Sequence, residues 1–137
     1  MPSLVADAIL DASAVLAFLG EEPGADLVRP WLRGGFISAV NAGEVLNRRY
    51  RPGESLEEIV RVVRSLELRV VDFNFEQAAI AASLEPYAKA ANLSFADRAC
   101  LSLGISMPGL PVLTADHRWS SLNLGLDLRL IREKKPT

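Results

Sequence analysis

Ala8-Ile9-Leu10-Asp11-Ala12-Ser13-Ala14 decides how this chain reads. A short apolar run ends on an aspartate, and a hydroxyl residue then opens a second apolar stretch. The run fits a strand buried on both faces, because no residue in it alternates with a polar one. Ser13 is placed to cap a helix over 14–20. The segment therefore predicts the start of an α/β unit, with an acid at the carboxyl end of its first strand. A near-core position is an unusual place for a carboxylate, so Asp11 is assigned a functional rather than a structural role.

The same grammar repeats along the chain. Pro23-Gly24 breaks the first helix, and Leu27, Val28, Trp31 and Leu32 recur at helical spacing over 25–33. Gly34-Gly35 ends that helix and a strand is expected over 36–40. Asn41 is placed to cap a helix running to Tyr50. Leu56, Ile59, Val60, Val63 and Leu66 stripe a helix over 55–67, and a strand is expected over 68–72. An alanine-rich helix is expected over 75–91, broken at Pro86. A loop at 92–94 leads to a helix over 95–105, and strands are expected over 110–114 and 128–131. Strands alternating with helices predict a three-layer α/β/α fold with a central parallel sheet of about five strands. The 137 residues suit one domain over 1–137.

Composition narrows the function classes. Half of the residues are hydrophobic, which excludes a disordered chain. No apolar stretch approaches the roughly 20 residues of a membrane span, and no secretory signal pattern is evident. Cys100 is the one cysteine, so no internal disulfide can form; a cytoplasmic location is expected. Cys100 lies in an apolar helical pattern and reads as a buried, inert thiol. The formal net charge of −2 argues against a dedicated basic nucleic-acid module. Two basic knots stand out against it: Arg48, Arg49 and Arg51, and then Arg129, Arg132, Lys134 and Lys135. Each taken alone reads as ordinary solvated charge.

Three carboxylates fall where an α/β sheet builds its sites, outside the carboxyl ends of its strands, and a fourth, Asp97, which starts the helix leading into the fourth strand, is assumed to join them. Asp11 ends the first strand, Glu44 enters the helix after the second, Asp97 opens a later helix, and Asp116 comes after the fourth strand. Each has a structural reading as well. Glu44 lies three residues after Asn41 and Asp97 three after Ser94, the spacing of a capping box. Such an acid stabilises a helix start by about 0.3–1 kcal/mol. Asp116 fits a turn residue that caps the segment after it. Asp7 is no rival to Asp11, because four strand residues separate them by about 13 Å. Ser13 and Thr114 stand beside two of the acids and read first as a cap and a strand-end turn. Their alternative role is to orient a carboxylate. His117, the lone histidine, reads as an exposed loop residue.

The conjunction carries more than its parts. Two unit charges 4 Å apart repel by about 4 kcal/mol at an effective dielectric of 20. Several carboxylates on one site therefore call for a cation. An all-oxygen donor set selects Mg²⁺ or Mn²⁺, and no His/Cys cluster argues for zinc. Acids with such an ion suit phosphodiester hydrolysis. No phosphate-binding glycine loop, nucleophile elbow or dinucleotide fingerprint points elsewhere. A phosphoacceptor receiver domain shares the doubly wound plan, but it places adjacent acids on the first strand and a lysine near the last. Here no lysine comes after the fourth strand before Lys134.

Ile9-Leu10-Asp11-Ala12-Ser13-Ala14, Ala42-Gly43-Glu44-Val45-Leu46, Leu93-Ser94-Phe95-Ala96-Asp97-Arg98-Ala99-Cys100-Leu101 and Val112-Leu113-Thr114-Ala115-Asp116 together resemble the motifs of PIN-domain nucleases. More narrowly they resemble VapC-type toxins of bacterial and archaeal toxin–antitoxin pairs. The likeness covers nearly the whole chain in order and spacing. It implies a Mg²⁺- or Mn²⁺-dependent endoribonuclease whose acidic ligands fall on Asp11, Glu44, Asp97 and Asp116. It also implies a homodimer and a cognate antitoxin that covers or enters the acidic cleft. Some members carry a further acid shortly after the fourth. Here His117, Arg118 and Trp119 come directly after Asp116, so no fifth carboxylate is offered. A catalytically weak PIN-fold module that binds RNA or protein is the competing expectation.

Overall fold

The computed structural model describes residues 7–133; Lys134 and Lys135 of the second basic knot lie outside them. Five short strands form one sheet: β1 (Ile9–Leu10), β2 (Phe36–Ser38), β3 (Arg69–Val71), β4 (Val112–Thr114) and β5 (Leu128–Leu130). All pairings are parallel, and the strand order is β3-β2-β1-β4-β5. The helices are α1 (Ala12–Leu19), α2 (Ala25–Leu32), α3 (Ala39–Arg49), α4 (Leu56–Arg64), α5 (Phe75–Ser83), α6 (Glu85–Ala91) and α7 (Phe95–Ser106), with a 3₁₀ turn over His117–Ser121.

The strands around the switch point are apolar because both faces of the sheet are covered. Leu10, Ile37 and Leu113 enter a core with Val15 of α1, Val28 of α2 and Val45 of α3. Ile9 and Val112 point to the other face, against Leu101 and Leu103 of α7, Leu84 and Trp119. Successive residues of one strand thus serve opposite layers, as the pleat requires. This is the expected three-layer α/β/α arrangement with five parallel strands. Cys100 is fully buried in the second core, where burial pushes its thiol well up from the ordinary value.

Glycine is required where α2 meets β2. A Cβ on Gly35 would lie 2.3 Å from the Trp31 carbonyl oxygen and 2.7 Å from Leu10 Cδ1. That close approach lets the chain turn directly from α2 into the strand beside β1.

Three boundaries differ from the sequence expectation. The second strand stops at Ser38, whose hydroxyl accepts a hydrogen bond from the Val40 N–H, so α3 starts at Ala39. Asn41 is therefore no cap. It is a fully buried residue of the first turn, and its Nδ2 donates to the Ala96 carbonyl of α7. Ala39 and Val40 mimic a strand because they are apolar, but they belong to a helix. The 75–91 helix breaks at Leu84 rather than at Pro86, and Pro86 takes the second position of α6, where its missing N–H costs nothing. Ser13 is inside α1; the N-cap position belongs to Asp11.

The reversal of strand order falls between β1 and β4. From β1 the sheet grows through β2 to β3 on one side and through β4 to β5 on the other. A crevice opens outside the carboxyl ends of the strands at such a point. Asp11 comes directly after β1 and Asp116 shortly after β4, so the fold sets both beside that crevice.

A candidate acidic active site at the sheet switch point

Asp11 has extended backbone and its carbonyl oxygen accepts from the Ala14 and Val15 N–H groups, so it is the N-cap of α1 by backbone alone. Its side chain makes no cap bond and is free for another purpose. Ser13 Oγ donates to Asp11 Oδ2 at 2.7 Å, and Thr114 Oγ1 donates to the same oxygen at 2.9 Å. Ser13 Oγ also accepts from the Ala115 N–H, and Thr114 Oγ1 accepts from the Asp116 N–H. These two hydroxyls stitch the end of β1 to the end of β4. The cap expected of Ser13 and the simple turn expected of Thr114 give way to this carboxylate-orienting role.

Asp11 is only 4 % exposed. Burial pushes its carboxyl up from 3.8 to about 6; the Ser13 and Thr114 hydroxyls oppose that rise, and the charges of Asp97 and Glu44 add to it. The environment thus withholds counter-charge from a carboxylate aimed at a cleft.

Asp97 is the third residue of α7 and closes a reciprocal capping box. Its N–H donates to Ser94 Oγ, and its Oδ2 accepts from the Ser94 N–H. Glu44 has no such box, since it lies in the middle of α3 with no cap three residues before it. With the structural reading removed, its half-buried carboxylate is left facing the cleft.

Asp116 caps the 3₁₀ turn, and its Oδ1 accepts from the Arg118 N–H. The Arg118 guanidinium clamps the same carboxylate: Nε lies 2.9 Å from Oδ1 and 3.1 Å from Oδ2, and Nη2 also reaches Oδ2. Those bonds hold the Asp116 carboxyl below its ordinary value, against the partial burial that would raise it. Trp119, fully buried, pins the turn to the core.

A cleft of about 350 Å³ is lined by Asp11, Ser13, Glu44, Asp97 and Asp116, together with Arg48 and Arg118. The four acids predicted from sequence therefore share one wall, supplied by the end of β1, α3, α7 and the segment after β4. Two further side chains join it that the sequence pattern does not assign there. Arg48 reads only as part of a basic knot, and Arg118 only as a residue that is not an acid. The offset of two residues between Asp116 and Arg118, on a tight turn, is the signal that points to the second. A larger cleft of about 720 Å³ at the α1–α2 turn is also bordered by acids, but Glu21 and Glu22 are exposed and Asp26 pairs with Arg29 at 3.6 Å. His117 starts the 3₁₀ turn and does not line the acidic cleft.

The donor chemistry suits a hard ion. The acids on the wall offer only carboxylate oxygens, and one of the four is buried with its charge undercompensated. Yet among the described residues no three acid, imidazole or thiol groups close on a single point. Asp97 and Asp116 are instead drawn to Arg118, whose Nη2 is 3.5 Å from Asp97 Oδ2.

Comparison with known proteins agrees with the architecture. The chain is similar to a toxin–antitoxin complex from Klebsiella pneumoniae, at 14 % identity and a TM-score of 0.70, covering 93 % of this chain and 99 % of that one. It is similar to DNA-bound VapBC from Salmonella typhimurium at 15 % identity and a TM-score of 0.68, again covering 93 % and 99 %. FitAcB from Neisseria gonorrhoeae is matched at 23 % identity and a TM-score of 0.60, covering 80 % of this chain and 87 % of that one. No curated protein matches the chain. The model of the PIN domain matches residues 8–123, a span that contains β1 through the 3₁₀ turn and all four acids. The chain belongs to the PIN domain family.

Proposed function

We propose that this chain is a Mg²⁺- or Mn²⁺-dependent endoribonuclease, the VapC-type toxin of a toxin–antitoxin pair, with residues 1–137 forming one nuclease domain. One observation carries the reading: four carboxylates from four separate elements line a single cleft at the switch point of a PIN sheet. Asp11, Glu44 and Asp97 would hold the ion, and Asp116 would complete the set or position the attacking water. When bound, the ion supplies Lewis-acid polarisation of the phosphodiester and makes water a better nucleophile.

The protein's own groups do the rest. Ser13 and Thr114 fix the Asp11 carboxylate, so its orientation does not depend on loop order. Asp116, on the same wall, would accept a hydrogen bond from the water or its proton. Arg48 on the cleft wall meets the phosphate backbone, which makes RNA binding salt-sensitive.

Partners belong to the same reading. The structures this chain resembles include toxin–antitoxin complexes, and an antitoxin is proposed for this chain too. An apolar groove lined by Ile37, Ala42, Leu46, Val60, Val63 and Val70 has the character that receives an amphipathic helix. A homodimer and a cytoplasmic location complete the proposal. No helix among the described residues is long and apolar enough to cross a membrane.

The test is cleavage of an RNA pool by antitoxin-free protein. Cleavage is expected with Mg²⁺ or Mn²⁺ and is abolished by EDTA, and Asp11→Asn is inactive while folded. Undiminished cleavage in EDTA, or by Asp11→Asn, overturns the assignment. The pairing of Arg118 with two of the acids favours a second reading, a PIN module that binds RNA without useful catalysis. RNA bound but intact with both ions would select it.

A further inference from the structure

Arg118 is an odd neighbour for a cation site. It stands two residues after Asp116 on a turn anchored by the buried Trp119, so its backbone is fixed relative to the acids. Its guanidinium spends its donors on the cleft. Nε and Nη2 clamp Asp116, Nη2 approaches Asp97 at 3.5 Å, and Nη1 donates to the Asn92 carbonyl at 2.8 Å. Asn92 has left-handed backbone (φ 52°) at the end of α6, two residues before the Ser94 cap of α7. One side chain thus ties the segment after β4 to the loop that launches Asp97. Arg48 lines the same cleft, but among the described residues it makes no ion pair with these acids. Arg118 is therefore the cation in direct contact with half of the carboxylate set.

We propose that Arg118 is a resident counter-ion of the acid cluster, and that its guanidinium and a divalent ion compete for Asp97 and Asp116. A point charge and a bidentate fork cannot both take the same carboxylate lone pairs. An ion that takes the oxygens held by Arg118 displaces its fork toward the cleft mouth. The arrangement holds the acids together without metal and lowers the affinity for it. The proposal rests on the metal-dependent reading above and concerns how tightly that site binds.

The test is Mn²⁺ binding by titration calorimetry, with no nucleic acid present, on wild type, Arg118→Gln, Arg118→Lys and Arg48→Gln. Arg118→Gln should bind Mn²⁺ about threefold to fivefold more tightly, the upper scale of one partly exposed, well-oriented ion pair. Arg118→Lys keeps the charge but loses the fork, so it should fall between. Arg48→Gln removes an equal charge that touches no acid, and should change affinity by less than twofold. Thermal melts supply a second readout that does not need Arg118→Gln to be as stable as wild type. In EDTA Arg118→Gln should melt below wild type, and the rise on adding Mn²⁺ should be larger than in wild type. Wild type that binds Mn²⁺ with Arg118→Gln no tighter overturns the competition alone. Equal tightening by Arg48→Gln also overturns it, because bulk charge would then explain the effect. No Mn²⁺ binding by any of the four proteins overturns the metal site and the competition together.

Discussion

Replacing Asp11 by asparagine should stabilise the metal-free protein at neutral pH, although it removes the central acid of the site. Each tenfold change in a protonation constant is worth about 1.4 kcal/mol. A carboxyl pushed from 3.8 up to about 6 by burial therefore costs the folded state about 3 kcal/mol once it is ionised. Proton uptake sets the sign. Between the two values the folded chain holds a proton that the unfolded chain has lost, so stability falls as pH rises through that window. Below it the carboxyl is neutral in both states and the penalty vanishes. Asparagine has no charge to desolvate, and its Oδ1 can still accept from Ser13 and Thr114. Its amide protons need acceptors, and failure to find them costs about 1–3 kcal/mol at every pH. The quantity to read is therefore the change in the stability difference with pH. Urea unfolding in EDTA should show Asp11→Asn gaining about 2.4 kcal/mol on wild type between about pH 4 and pH 7. Millimolar Mg²⁺ or Mn²⁺ should then stabilise wild type selectively, by the mass action of an ion that binds only the folded site. A stability difference that stays flat across that range would refute the claim that a buried, undercompensated carboxylate sits at the end of β1.

Two further expectations come from the packing. Thr114→Val keeps the shape of the side chain but removes the hydroxyl that donates to Asp11 and accepts from the Asp116 N–H; urea unfolding at neutral pH should show a loss of about 1.5–3 kcal/mol, smaller in acid where Asp11 is protonated. Gly35→Ala forces a methyl against the Trp31 carbonyl and Leu10, and should lower stability by about 1–3 kcal/mol in a thermal melt without changing its dependence on Mg²⁺.

Much of the fold is readable from local pattern because each strand is short and bounded by polar or breaking residues. The order of the strands is not. The pairing of β1 with both β2 and β4 depends on contacts between residues as far apart as Ile9 and Phe36, or Ile9 and Val112, which no local window of sequence contains. Ser94 and Asp97 are legible as a capping box because both partners lie within one helical turn. The same spacing at Asn41 and Glu44 misleads, since Ser38 has already capped the helix and left Asn41 to bond α7 across the core. Ser13 misleads for a related reason: the cap position goes to Asp11 through its backbone, which frees the serine hydroxyl for a tertiary role. Arg118 escapes notice because the sequence marks it only as a residue that offers no fifth carboxylate. Only the 3₁₀ geometry brings its fork back onto Asp116 and across to Asp97.

Asp97 belongs to the cleft and also begins α7, because its carboxylate and N–H complete both halves of the box with Ser94. The proposed nuclease reading therefore makes the four acids unequal in what their loss would do to the fold. Loss of Asp97 removes both halves of the box and should weaken the start of α7 by about 0.5–2 kcal/mol. Loss of the Asp11 charge relieves the interior and should leave a folded molecule that, on the proposed reading, lacks cleavage. The end of β1 can thus change its charge without cost to the fold, whereas the start of α7 cannot.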